Sequence, residues 1–240
     1  MKFLYGPEQG TWVATPHADL EARTVARKIL SADVCISDLD DTDADSPAKE
    51  IAFKALGTSY LSPRYLGWLA ATAFQYLGHG KAAESAAWRD YIDTFLHNNP
   101  QGLREVVDHF TPERVEATLH PGVKELYGHL AATRVYFTRN IPPVAKLFEQ
   151  AAGVSCHAAE VFHKAQAIEK FNHNFPHFQR YFVKGDSTED QEMVEVLQFL
   201  VKMNRIESVV SCRRLDLATD ITGPWDIGVP KDYRGLVALL

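Results

Sequence analysis

The sequence predicts an α/β fold, a parallel sheet with helices on both faces, interrupted after its first core strand by a mainly helical insert. Three observations lead there. The runs Val34-Cys35-Ile36, Val135-Tyr136-Phe137 and Tyr181-Phe182-Val183 are apolar throughout, as strands buried on both faces are. Longer stretches between the later runs carry apolar residues at helical spacing, and strands alternating with helices argue for a parallel sheet. Between the first run and the second lie far more residues than one crossover needs, and most of them read as helix.

Taken in order, residues 1–33 hold an irregular start and then a helix from about Asp19 to Leu30, with Ala22, Val25, Ala26 and Ile29 recurring on one face. The apolar run 34–37 follows and ends in the acidic Asp38-Leu39-Asp40-Asp41-Thr42. Residues 43–119 are punctuated by Ser46-Pro47, Ser62-Pro63, Asn99-Pro100 and Thr111-Pro112. In three of these a Ser or Thr N-cap precedes proline at the first helical position, where the missing N–H costs no bond. From His120 the alternation runs helix (Pro121 to Ala132), strand (Arg134 to Thr138), helix (Ile141 to Ala152) and the short apolar Val161-Phe162. It continues with a helix from Lys164, the strand 181–183 ending at Gly185-Asp186, a helix from about Glu189 to Met203 and a strand from Ile206 to Cys212. The stretch Leu215 to Val229 reads as loop, and Asp232 to Leu240 as a final helix. The domain reading is an N-terminal extension (1–33) packed on a core of 34–42 and 120–240, with 43–119 as the insert.

A chain of 240 residues can bury a sizeable core. Its net charge of −6 argues against general affinity for nucleic acid or anionic membrane, which needs a dense basic patch. A small anionic ligand stays compatible with it. The three cysteines, Cys35, Cys156 and Cys212, are odd in number and widely spaced, which suggests neither a disulfide framework nor a paired-cysteine zinc site. No stretch reads as a targeting or membrane-spanning segment, so a cytoplasmic location is expected. Among the ten histidines only His173 and His177 have the spacing of a helical ligand pair, and Pro176 between them breaks that helix.

Acidic residues closing a buried strand sit where open α/β sheets bind ligands. Asp38-x-Asp40-x-Thr42 gains weight from three pieces downstream: Thr138 closing a strand, Lys164 opening a helix, and Gly185-Asp186-Ser187-Thr188-Glu189-Asp190 after another strand. In that order the four pieces resemble the motifs of the haloacid dehalogenase superfamily. The resemblance covers about 34–42 and 120–203, including the lead-in Pro121-Gly122-Val123-Lys124-Glu125-Leu126. It implies a Rossmann-like core and an aspartyl-phosphate phosphatase site. By that resemblance Asp38 is the nucleophile, and Asp40 protonates the leaving oxygen and later activates water. Thr138 would bind a phosphoryl oxygen and Lys164 would neutralise charge, although Lys170 and Lys184 compete for the lysine role. Asp186, with Asp190 directly or through water, would hold magnesium (Mg2+) together with Asp38 and the backbone carbonyl of Asp40.

The chemistry agrees with this assignment. A carboxylate attacking a phosphate monoester is repelled by it, so the site needs a divalent cation and fixed positive charge. Magnesium favours a few carboxylate and water oxygens over a histidine cluster. The resemblance makes the insert 43–119 a helical cap that closes over the site; its aromatics, among them Tyr60, Trp68, Phe74, Trp88 and Tyr91, read as cap core. Two departures stand out: Asp41 occupies a position where many members carry glycine, and most members begin nearer the first motif. The expectation is a magnesium-dependent phosphatase acting on a small phosphorylated metabolite, with self-association left open. The rival readings are a phosphotransferase or mutase using the same intermediate, and a binding or regulatory protein that keeps the fold.

Overall fold

The computed structural model describes residues 1–6, 11–45, 100–138, 142–154, 159–160, 164–187 and 189–240, together with the helical positions 63, 66–67, 69–71, 73–74 and 77. The described strands are β1 (Lys2–Tyr5), β2 (Val13–Thr15), β3 (Val34–Ser37), β4 (Thr133–Thr138), β5 (Ala159–Glu160), β6 (Arg180–Gly185), β7 (Ser208–Arg214) and β8 (Ile227–Val229). They form one sheet in the order β1-β2-β8-β7-β6-β3-β4-β5. From β8 to β5 every pairing is parallel, whereas β1 and β2 join the β8 edge antiparallel.

The start of the chain departs from the sequence reading. Instead of an irregular segment, residues 2–5 and 13–15 are strands that extend the sheet itself. Both are too short to show a period; β1 is laid against β2, and β2 is held by β8, more than two hundred residues later, which no local pattern reveals. In the same way β8 emerges from a stretch that reads as loop, because its three residues are fixed by pairing to β7.

Period-two alternation sends side chains of each central strand to opposite faces, and both faces are covered. Cys35, Tyr136 and Phe182 face one core, packed by α1 (Ala22–Leu30), α4 (Val123–His129), α5 (Pro142–Ala152) and α8 (Arg234–Leu239) through Val25, Ile29, Leu126, Phe148 and Leu236. Val34, Ile36, Val135, Phe137 and Val183 face the other, packed by α6 (Lys164–Asn174) and α7 (Gln191–Lys202) through Ile168, Met193, Val194, Leu197 and Leu200. Gly122 at the start of α4 has φ +84, and a Cβ there would lie 2.5 Å from the backbone nitrogen of Arg234. Only glycine lets the start of α8 approach so closely.

The expected cap falls largely outside the described residues. Its last part is described: α2 (Pro100–His109) and α3 (Pro112–Thr118), the latter capped by Thr111, whose hydroxyl accepts from the Arg114 amide at 3.3 Å. Val106, Phe110 and Val115 of this stretch are buried in the same cluster as Val144 and Phe148, so 100–119 packs on the core. Phe74, expected as cap core, is 73% exposed. The insert leaves and returns at one place: Ala44 bridges Leu119, the Asp45 amide donates to Thr118 O at 3.1 Å, and the His120 amide donates to Asp43 O at 2.8 Å.

Candidate active site

β3 lies between β6 and β4, the point from which the chain runs outward to β5 and then returns to the other side. Ligands of open α/β sheets bind at such a switch point, outside the carboxyl ends of the strands. The first acidic motif follows β3 there. Its backbone is pinned throughout: the Asp38 amide donates to Lys184 O at 3.1 Å, and the Asp43 and Ala44 amides return to Leu39 O at 3.0 and 3.2 Å. The Thr42 carbonyl accepts from His120 Nδ1 at 2.9 Å and from the Tyr233 hydroxyl at 3.2 Å. Asp41 has φ +58, the left-handed conformation that explains why glycine suits this position and why the short, polar Asp is tolerated. Its amide donates to Ala44 O at 2.8 Å and its carbonyl accepts from Arg214 Nε at 2.6 Å.

The structure brings together all six residues singled out in the sequence. Lys164 Nζ lies 2.9 Å from Asp38 Oδ1 and also bonds Asp190 Oδ1. Thr138, at the end of β4, donates to Asp40 Oδ2 at 3.1 Å. Thr42 donates to Asp186 Oδ1 at 3.4 Å. One carboxylate oxygen from each of Asp38, Asp186 and Asp190 lies within 4.8 Å of the others.

Asp190 is fully buried, not a solvated residue on a helix turn. Its Oδ2 accepts from the amides of Asp186 and Ser187, each at 3.0 Å, and from the Ser187 hydroxyl at 2.8 Å. A Cβ on Gly185 would sit 2.3 Å from the Cβ of Asp190, so glycine is required for that side chain to fold under the strand end. With both oxygens engaged, Asp190 holds the lysine and shapes the loop.

Burial raises the Asp38 acid well above the ordinary carboxylate range; Lys164 opposes this, and the carboxylates of Asp190, Asp186 and Asp40 reinforce it. Burial also disfavours the Lys164 ammonium, but Asp190 and Asp38 outweigh it and hold the lysine charged. Asp190 keeps a lowered value although burial pushes upward, because Lys164 and the Ser187 donors favour the anion. Three clustered carboxylates against one ammonium leave excess negative charge, and every candidate donor is a hard oxygen. That set fits a divalent cation such as magnesium better than a soft metal.

Of the competing lysines, Lys170 is exposed on α6, and Lys184 is fully buried and paired with Asp43. Sequence reasoning missed that pair. Asp43 also accepts from the Tyr127 hydroxyl, while the Lys184 ammonium lies 4.5 and 4.9 Å from the ring centroids of Tyr127 and Tyr233. Thr42 and Ser187 also went without a role, although both stand inside the recognised motifs. His173 and His177 are exposed, and Cys35 and Cys212 are buried free thiols. His157, His163 and Cys156 lie outside the described residues.

The chain matches a cytosolic 5'-nucleotidase IIIB bound to cytidine with a TM-score of 0.58 and 14% identity, over 97% of this chain and 94% of that one. The two share one fold. The same fold is shared with a haloacid dehalogenase-like hydrolase from Burkholderia xenovorans (TM-score 0.52, 11% identity, 85% of this chain and 94% of that). A phosphoserine phosphatase in apo form also matches (TM-score 0.50, 10% identity, 87% and 98%). The sequence matches no family profile and no curated protein. No helix among the described residues is long and apolar enough to cross a membrane.

Proposed function

We propose that the protein is a magnesium-dependent phosphatase that hydrolyses a small phosphomonoester through an aspartyl-phosphate on Asp38. The observation that carries this reading is the Asp38 carboxylate, held at a strand end by Lys164, with Asp40 two residues on and bonded to Thr138. Asp38 attacks phosphorus as the bond to the leaving oxygen breaks, and Asp40 delivers a proton to that oxygen. Water then attacks the phosphorus of the acyl phosphate, Asp40 takes a proton from it, and the phosphorus–oxygen bond to Asp38 breaks, releasing phosphate. Lys164 stabilises charge on the transferring group, and Thr138 exchanges its bond to Asp40 for one to a phosphoryl oxygen. Asp38, Asp186 and the Asp40 carbonyl would hold the cation, which supplies Lewis-acid neutralisation of phosphoryl charge.

The reaction requires neither a nucleic-acid nor a membrane partner, and we place the protein in the cytoplasm. The test is turnover of p-nitrophenyl phosphate and a metabolite panel including nucleoside monophosphates and phosphoserine, with and without magnesium. Turnover should require the ion, and Asp38→Asn should lower kcat by about three orders of magnitude or more, as loss of a covalent nucleophile does. Turnover by the Asp38→Asn variant equal to the parent would overturn the mechanism. Product analysis with an added sugar acceptor separates hydrolysis from transfer.

A further inference from the structure

Strand β7 carries none of the motif residues, yet its last two side chains reach both acidic loops. Successive residues of a strand point to opposite faces. Arg214 therefore emerges on the face of Val210 and Cys212, where its Nε donates to the Asp41 carbonyl at 2.6 Å. Arg213 emerges on the other face, where its Nε donates to the Asp186 carbonyl at 3.3 Å. Each guanidinium has a second anchor: Arg214 Nη1 pairs with Asp216 at 2.9 Å, and Arg213 Nη1 donates to Thr222 O and Oγ1 at 3.3 and 3.1 Å.

These bonds complete the backbone pairing of two particular residues. Asp41, in its left-handed conformation, has its amide on Ala44 and its carbonyl on Arg214. Asp186 has its amide on Asp190 and its carbonyl on Arg213. A guanidinium suits both tasks, because its donors are fixed in one plane and two of them can be tied at once.

We propose that Arg213 and Arg214 are positioning residues that set the two acidic loops independently, Arg214 the loop bearing Asp38 and Asp40, Arg213 the loop bearing Asp186. The kinetic consequence rests on the phosphatase reading; the structural one does not.

The experiment compares full-length Arg213→Met, Arg214→Met and the two Lys variants by amide hydrogen exchange without metal. Magnesium-induced shifts in melting temperature and the kcat and magnesium half-saturation for p-nitrophenyl phosphate complete it. Arg214→Met should speed exchange at residues 41–44 alone and cut kcat about a hundredfold, the scale of a misplacement near 1 Å. Arg213→Met should speed exchange at 186–187 alone and weaken magnesium about tenfold by both thermal shift and half-saturation, as loosening a group that supports a ligand does. The Lys variants should recover part of each effect. Exchange rising in both loops together, or in neither, in either Met variant would overturn the proposal. If the parent lacks turnover the phosphatase reading fails, and loop-specific exchange still decides the role of the arginines.

Discussion

Lys184 and Asp43 show how much one buried pair carries. They are 141 residues apart, both fully buried, and joined directly beneath the acidic loop. Removing one partner of such a pair leaves the other charge desolvated, so Lys184→Met should cost about 3–5 kcal/mol in urea denaturation. The double variant Lys184→Met with Asp43→Asn keeps an acceptor for Tyr127 and removes the orphaned charge. It should cost less than Lys184→Met alone, and a larger cost would show that the pair is not coupled as the geometry says. Thr42, beside Asp43, shows the companion effect: its carbonyl is held by His120 and Tyr233 while its hydroxyl reaches Asp186. The recognised motif therefore depends on neighbours that no motif includes.

At the level of elements, the strands are registered by a clamp at the opposite end of the sheet. Asp33, just before β3, accepts from the amides of Gln179 and Arg180 at 2.9 Å each and from Arg180 Nε at 3.2 Å. Its own amide donates to Arg180 O at 2.8 Å, fixing the start of β6 against β3. The Arg180 side-chain bond holds the Asp33 carboxyl below its usual value; burial opposes this, and the two amides and the Arg180 charge add to it. A lowered folded value means stability present above the unfolded value of about 3.9 and lost as pH falls through the folded one. Asp33→Asn should therefore lower stability by about 1–3 kcal/mol at neutral pH, with the gap to the parent narrowing below about pH 4. A gap constant from pH 7 to pH 3 would remove charge from the explanation. Helices were more legible than this clamp: α6 begins at Lys164 as its pattern indicates, and Asp190 immediately precedes α7.

For the whole molecule, the sheet order decides what the acidic residues can do. β3 between β6 and β4 gathers Asp38, Asp186 and Thr138 at one edge from widely separated parts of the chain. Burial, reinforced by the like charges concentrated there, raises the Asp38 acid, and those charges favour a cation bound only by the folded state. Magnesium should therefore raise the melting temperature, adding about 2.7 kcal/mol at a hundredfold excess over Kd. Asp186→Asn should lose most of that shift without losing the fold. An unchanged shift in that variant would remove Asp186 from the ligand set.

The sequence by itself determined the α/β class, most of the described helices and central strands, and the order of acids, hydroxyl and lysine along the chain. These follow from side-chain periodicity and from caps and glycines, which are properties of neighbours in the chain. Only the tertiary structure decided that Lys164 and not Lys184 meets Asp38, that Asp190 is buried under the strand end, and that β1, β2 and β8 join the sheet. It also decided that Arg214 reaches Asp41 across 173 residues. Contacts at such separations arise from strand order and from which face a side chain leaves, and neither is set by the residues immediately around it.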